Sequence, residues 1–133
     1  MSDSAVAAAQ AFVRAINRQD VAAMVELMPD GHRFTDSLGN VVEGREKMRS
    51  AWAAYFRMVP DYSLAIVEFY VNGPNVVMLG NAQGTYSPDG TVKHENRWQA
   101  PAAVRALVEQ GLIAEWQVYA DNEPIREKIR AAK

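Results

Sequence analysis

Three side chains able to take part in acid–base chemistry lie close together in the sequence: His32, Asp36 and Tyr55. The run from His32 to Asp36 is typical of a strand, and strand alternation places both residues on the same face as Phe34. If Phe34 points into an apolar interior, Asp36 does too. A carboxylate there has a raised pKa and can take a proton from a substrate. The alternative role for Asp36 is to cap the following turn, residues 37–40, with its own oxygens.

Two neighbours could assist Asp36. His32 could pair with it or donate to a substrate oxygen, or it could lie at a strand edge in water. Tyr55 could offer its hydroxyl to a ligand carbonyl. A metal site formed by His32, Asp36 and His94 is not supported by any known ligand spacing. The sequence also has no glycine-rich phosphate loop, so we expect no metal and no organic cofactor.

A predicted amphipathic helix, from about Arg45 to Met58, supplies most of the aromatic residues near these candidates. Met48, Trp52, Tyr55 and Phe56 share one face of it, and Pro60 ends it. Rings on such a helix pack in the core and often also line a cavity. The residues that we expect to line a pocket are Phe12, Phe34, Trp52, Phe56, Trp98, Trp116 and Val118.

The remaining elements must position this helix. Two amphipathic helices come first, one capped by Ser4 and one capped by Asp20. Strands are predicted from Tyr62, Val76, Val92 and Leu112, and a short helix follows Asp121. Residues 102–107 have helix propensity, but they lie between a strand and a turn, so we predict a strand.

Helices grouped before strands predict an α+β fold. We expect a strongly bent, mixed or antiparallel sheet packed on three helices of the N-terminal half, with an interior pocket. Gly80 and Gly84 predict bulges or a sharp bend in the sheet. Val77, Leu79 and the polar residues Asn81, Gln83 and Thr85 share one face of a strand. If that face is buried, the polar side chains need hydrogen-bond partners; we expect it to be the outer face of the sheet. This face predicts a homodimer formed through the sheet.

Composition narrows the function. The chain has 133 residues, 49% of them hydrophobic, which suits one domain over residues 1–133. The net charge is -2 and the 14 basic residues are scattered, which argues against nucleic-acid binding. With no cysteine, disulfides and thiol catalysis are excluded. No apolar run approaches the ~20 residues that span a membrane, and no basic leader is present, so a cytoplasmic protein is expected.

An ordered set of short motifs resembles the nuclear transport factor 2-like superfamily, in particular its SnoaL-like (polyketide cyclase-like) branch. The motifs are Phe12 to Asp20, Phe34-Thr35-Asp36, Glu43-Gly44-Arg45-Glu46, Gly80 to Thr85, and Gly111 to Asp121. The resemblance implies a cone-shaped fold. That fold serves isomerases, cyclases, dehydratases, epoxide hydrolases and non-catalytic binding modules, so it does not by itself give the activity.

Comparison with the ketosteroid isomerase branch implies a role for Asp36. It falls where that branch carries its general base, which works opposite an oxyanion hole of a tyrosine and a protonated aspartic acid. Phe12 falls at the tyrosine position and Ala103 near the second acid. Both donors are therefore replaced, unless Tyr55, Trp98 or His94 supplies one.

The limonene epoxide hydrolase branch implies a different acid–base set. Its C-terminal aspartate falls at Val118, with Asp121 nearby, and Arg97 or Arg105 would replace its arginine. The resemblance thus favours an acid–base enzyme acting on a small, apolar, carbonyl-bearing or cyclic substrate. The alternative is a non-catalytic ligand-binding or accessory dimerisation domain.

Overall fold

A computed structural model describes residues 2–132, with side chains from residue 4 onward. The helices are α1 (Ser2–Asn17), α2 (Val21–Glu26), α3 (Arg45–Met58) and α4 (Glu123–Ala131). The strands are β1 (Arg33–Thr35), β2 (Val41–Glu43), β3 (Ser63–Asn72), β4 (Asn75–Thr85), β5 (Arg97–Glu109) and β6 (Leu112–Ala120). The α+β class is confirmed, and the predicted order of elements is confirmed except for β2, a short strand that the sequence did not predict.

The first two helices cover the sheet with their apolar faces. Phe12 and Ile16 of α1 are fully buried, as their helical spacing requires. The Asp20 side chain accepts a hydrogen bond from the Ala23 N–H at 3.1 Å, which confirms it as the cap of α2. The prediction for Ser4 is wrong, because α1 already begins at Ser2.

The six strands form one mixed sheet in the order β2-β1-β6-β5-β4-β3. Strands β3 to β6 are antiparallel neighbours, whereas β1 joins β6 in parallel and pairs β2 in antiparallel. Residues 102–107 lie inside β5, as predicted. Their strand state follows from pairing on both sides, with Ala102 opposite Gly80 and Ala120, which overrides their helix propensity.

Two glycines of β4 allow the close contacts around which the sheet curves. Gly80 pairs with Ile66 beside an irregularity in β3, and a Cβ at Gly80 would lie 1.8 Å from the Ala65 carbonyl oxygen. A Cβ at Gly84 would lie 2.4 Å from Cγ1 of Val59, at the corner between α3 and β3. The predicted bulge is therefore confirmed.

Three sequence predictions about this sheet need correction. The strand expected from Val92 begins only at Arg97, because residues 86–96 form a loop in which the Asp89 carboxylate accepts hydrogen bonds from the Thr91 N–H and hydroxyl. The first strand is limited to Arg33–Thr35. Thr85 is buried and bonded to the Asp61 carboxylate, so it is not part of an outer face.

The outer face of the sheet carries a row of apolar side chains. Leu79, Ala103 and Tyr119 lie side by side on β4, β5 and β6. The opposite face, with Ala102 and Val104, packs into the core. Within residues 2–132, no helix is both long enough and apolar enough to cross a membrane.

Candidate functional site

A cavity of about 300 Å³ lies between α3 and the inner face of the sheet. Its size is at the lower end of the range for small-molecule sites. Most of its surface comes from apolar and aromatic side chains. The lining residues are Ile16, Phe34, Asp36, Ser37, Met48, Ala51, Trp52, Tyr55, Tyr62, Leu64, Ala82, Trp98, Ala100, Ala102, Val104, Trp116, Val118, Ala120, Asp121 and Asn122.

Four aromatic rings form a continuous wall of this cavity, which we call the ring wall: Trp52, Tyr55, Tyr62 and Trp98. The ring centroids of Trp52 and Tyr55 are 6.3 Å apart, those of Tyr55 and Tyr62 5.2 Å, and those of Tyr62 and Trp98 6.2 Å. The first two contacts are edge-to-face, an arrangement that aromatic pairs favour. The ring wall therefore joins α3 to β5.

The ring wall carries neutral hydrogen-bond donors. The indole nitrogens of Trp52 and Trp98 are buried and have no hydrogen-bond partner among the described residues. Burial raises the pKa of the Tyr62 hydroxyl to about 12. Burial and the neighbouring Tyr62 likewise raise the pKa of Tyr55. Both phenols therefore keep their protons at neutral pH.

The mouth of the cavity is polar and acidic. Asp36 and Ser37 follow β1, while Asp121 and Asn122 follow β6, and the parallel pairing of the two strands brings these residues together. The Asn122 side-chain amide donates to the Ser37 hydroxyl at 2.6 Å. No lysine, arginine or histidine is among the described lining residues, so the charged groups of the cavity are its two carboxylates.

Asp36 lies at the cavity and also caps the turn that follows it. It lines the cavity, and its Oδ1 also accepts hydrogen bonds from the N–H groups of Leu38 and Asn40, each at 2.9 Å. Its Oδ2 accepts from the Asn40 side chain at 3.2 Å. Slight burial raises the pKa of Asp36, but the hydrogen bonds from Asn40, Leu38 and Gly39 outweigh it and lower the pKa below its usual value. The expectation of a raised pKa is therefore wrong, and Asp36 is ionised at neutral pH.

His32 is a core residue and lies away from the cavity lining. Its ring is fully buried, with its centroid 6.3 Å from that of Phe12. Nδ1 lies 2.6 Å from the Ile113 carbonyl oxygen. Because a carbonyl only accepts, Nδ1 carries the proton, which leaves Nε2 as a buried acceptor with no partner in the described chain. Burial lowers the pKa of His32, although the bond to Ile113 raises it. The predictions of a water-exposed strand edge and of a pair with Asp36 are wrong, and the predicted donation to a substrate oxygen does not fit a fully buried residue outside the cavity lining.

The other predicted residues divide into two groups. Phe34, Trp52, Trp98, Trp116 and Val118 line the cavity. Phe12 and Phe56 are buried in the core but are not lining residues, because Phe12 packs on Trp116 and Phe56 lies behind Trp52 and Tyr62. Ala103 lies on the outer sheet face, so its position could not place an acid in the cavity. His94 is exposed in a short helical turn, His94–Asn96.

Tyr62 and Asp121 line the cavity, but the sequence did not lead us to predict either as a lining residue. Tyr62 directly follows the turn that ends α3, and its ring is brought into the cavity because the chain reverses there onto the sheet. The position of Tyr62, a large aromatic residue between the end of a helix and the start of a strand, could have indicated this. Among the described residues, no group of three or more histidine, aspartate or glutamate side chains is arranged to hold a metal ion.

Residues 9–116 match the SnoaL-like domain family. The chain belongs to that family. No curated protein sequence matches the chain.

Solved structures with the same fold cover nearly all of this SnoaL-like domain. A candidate SnoaL-like polyketide cyclase from Jannaschia sp. CCS1 is 19% identical, with a TM-score of 0.84, over 98% of this chain and 94% of that one. A candidate polyketide cyclase from Xanthomonas campestris pv. campestris is 20% identical, with a TM-score of 0.83, over 96% and 98%. An LEH-like epoxide hydrolase from M. tuberculosis is 16% identical, with a TM-score of 0.79, over 98% and 92%. At these identities the likeness shows the fold alone.

Proposed function

We propose that this SnoaL-like domain binds an apolar, cyclic, carbonyl-bearing small molecule in the cavity and moves a proton on it, with the Asp36 carboxylate as the base. The observation that carries the proposal is the arrangement of the cavity. The ionised carboxylate of Asp36 lines the mouth of an apolar chamber, and two protonated tyrosines, Tyr55 and Tyr62, line the same chamber. Proton transfer next to a carbonyl needs both features, a base and a donor for the oxygen on which charge develops.

The low pKa of Asp36 is compatible with this role. A base must be unprotonated before it acts, and hydrogen bonds from Asn40 keep Asp36 ionised at neutral pH. A low pKa weakens the base, however, so the enzyme would depend on strong stabilisation of the substrate oxygen. The general base of ketosteroid isomerase works with a pKa that is only modestly raised.

Deuterium exchange tests the proposal without knowledge of the natural substrate. In D₂O, the protein should accelerate exchange at the carbon next to the carbonyl of 1-tetralone, followed by proton NMR. Asp36→Asn should reduce the exchange rate to the uncatalysed background, a loss of at least about 100-fold if Asp36 is the base. The asparagine oxygen can still accept the two backbone hydrogen bonds, from the N–H groups of Leu38 and Asn40, so the fold and the affinity for 1-tetralone should be largely preserved.

Asp30→Asn is the matched control, because Asp30 is an exposed aspartate that lies outside the cavity lining. It should exchange at the wild-type rate. Equal rates for Asp36→Asn and wild type would reject Asp36 as the base. Asp121→Asn tests whether the second carboxylate of the mouth shares the role.

The second candidate function is ligand binding without turnover. The observation that favours it is the engagement of Asp36 by three turn hydrogen bonds, which supply a structural reason for the residue. Under this alternative 1-tetralone binds in the cavity, and its exchange rate in the presence of wild-type protein equals the background rate.

A further inference from the structure

The cavity carries negative charge that no group in the described chain balances. Asp36 and Asp121 are lining residues, whereas no described lysine, arginine or histidine is. Within residues 4–132, neither carboxylate forms a salt bridge. A ligand with a positive charge therefore gains electrostatic energy at this site, and an anionic ligand loses it.

The two carboxylates differ in the oxygens that they leave available. Both oxygens of Asp36 are engaged by its own turn, through the N–H groups of Leu38 and Asn40 and the Asn40 side chain. Asp121 accepts a hydrogen bond only at Oδ1, from the Glu123 N–H at 2.9 Å, and its Oδ2 has no partner among the described residues. Asp121 therefore has an oxygen available to a ligand.

The Asp121 carboxylate is also held in place before any ligand arrives. Asn122 stands at the N-cap of α4, but its side chain makes no capping bond there and instead donates across the mouth to the Ser37 hydroxyl at 2.6 Å. Asp121 Oδ1 bonds to the first turn of the helix instead. A charge fixed in this way costs little additional ordering when a ligand binds.

The remainder of the cavity is suited to uncharged rings. The ring wall lines it, and the hydroxyls of Tyr55 and Tyr62 are buried, protonated and without a hydrogen-bond partner among the described residues. An ammonium group placed deep among these side chains would lose its hydration. At the mouth it meets Asp121, which is exposed and leaves the ammonium in contact with water. The cavity therefore favours a ligand whose rings point inward and whose cationic group stays at the mouth.

We propose that the ligand carries a protonated amine on its apolar ring system, and that the Asp121 carboxylate binds this amine at the mouth of the cavity. Asp121 is then a specificity-determining residue, and Asp36 keeps its separate role as the base. The inference rests on the proposed function in taking the cavity as the ligand site. It requires binding and no turnover.

Three bicyclic probes of similar shape test the proposal: 2-aminotetralin, 2-methyltetralin and tetralin-2-carboxylate. At neutral pH the first is a cation, the second is neutral and the third is an anion. Wild-type protein should bind 2-aminotetralin about fivefold more tightly than 2-methyltetralin, the ratio expected for one ion pair at a partly exposed site. High salt should reduce this ratio, because it screens the charges. The carboxylate should bind most weakly of the three, and isothermal titration calorimetry measures each dissociation constant.

Asp121→Asn removes the charge and keeps an oxygen for the Glu123 N–H, so the start of α4 should be preserved. It should lower the preference for 2-aminotetralin over 2-methyltetralin from about fivefold to about twofold or less. The affinity for 2-methyltetralin should be unchanged and serves as the internal control. Asp30→Asn, at an exposed aspartate outside the cavity lining, should keep the wild-type preference. Circular dichroism establishes that both variants are folded.

Three outcomes would overturn the inference. One is equal affinity of the wild-type protein for the amine and its methyl analogue, or no binding of either. Another is the wild-type preference in folded Asp121→Asn. The third is a preference that is lost in Asp36→Asn and kept in Asp121→Asn, which would assign the amine to the other carboxylate. Failure of deuterium exchange with an intact preference for the amine would remove only the proposed proton transfer.

Discussion

His32 and Asp36, four residues apart, are held in opposite electrostatic environments. The core surrounds His32 and keeps it neutral, whereas turn hydrogen bonds keep Asp36 charged. Strand alternation predicts that both residues share the face of Phe34. It does not predict that one is buried and neutral while the other is charged. The difference arises because His32 lies beneath α1, beside Phe12, while Asp36 has already left the strand.

The burial of His32 predicts a pH dependence of stability. Its pKa is lowered in the folded state, so below the unfolded-state value of about 6.5 the unfolded chain takes up a proton that the folded chain does not. The stabilisation is complete above about pH 6.5 and is lost as the pH falls below it, by at most ~1.4 kcal/mol per pH unit. Urea unfolding at several pH values between 5 and 8 measures this slope.

His32→Asn should reduce the slope. Asparagine can donate to the Ile113 carbonyl in place of Nδ1 and does not titrate in this range. His94→Gln, at an exposed histidine, is the control and should keep the wild-type slope. A slope that is the same in His32→Asn and wild type would show that other groups cause the pH dependence.

At the level of elements, the sequence predicted most of what local pattern can predict. The boundaries of α3 are as expected, because its apolar face, its first residue and the following Pro60 all predict the same helix. The loop of residues 86–96 was missed because Pro88-Asp89-Gly90 is also typical of a tight hairpin turn. The order of the strands decides which side chains meet in the cavity. The parallel pairing of β1 with β6 joins distant segments, and neither segment's sequence indicates it.

The glycines of β4 give a prediction at this scale. Gly84→Ala should lower the free energy of unfolding by about 1–3 kcal/mol, because its Cβ would lie 2.4 Å from Cγ1 of the fully buried Val59. Gly31→Ala is the control, since nothing lies within 4 Å of its Cβ, and it should change stability by less than about 0.5 kcal/mol. Denaturant unfolding measures both.

A double variant tests the cause. Val59→Ala removes Cγ1, so Gly84→Ala should cost less in the Val59→Ala background than in wild type. Equal costs in the two backgrounds would mean that the strain lies elsewhere in the corner between α3 and β3.

For the whole molecule, we propose a homodimer through the outer sheet face, where Leu79, Ala103 and Tyr119 form an apolar row. Tyr119 is 54% exposed and would be covered by a second copy. Leu79→Arg should shift the protein to monomer, because it places a charge in the contact. Light scattering after size-exclusion chromatography measures the mass.

Val92→Arg is the control for this experiment, because Val92 is 57% exposed in the loop before β5, away from the row. It should leave the mass unchanged. A wild-type protein that stays monomeric at high concentration would contradict the proposed dimer.

The parallel pairing of β1 with β6 has a consequence for synthesis of the chain. Phe34 of β1 lies beside Trp116 of β6, so the edge that β1 joins does not exist until the ribosome has made β6. Contacts across so long a separation form late and slowly. The helices α1 and α2 stay partly uncovered until β6 has been made, and the acidic mouth is complete only after Asn122 has been added to the chain.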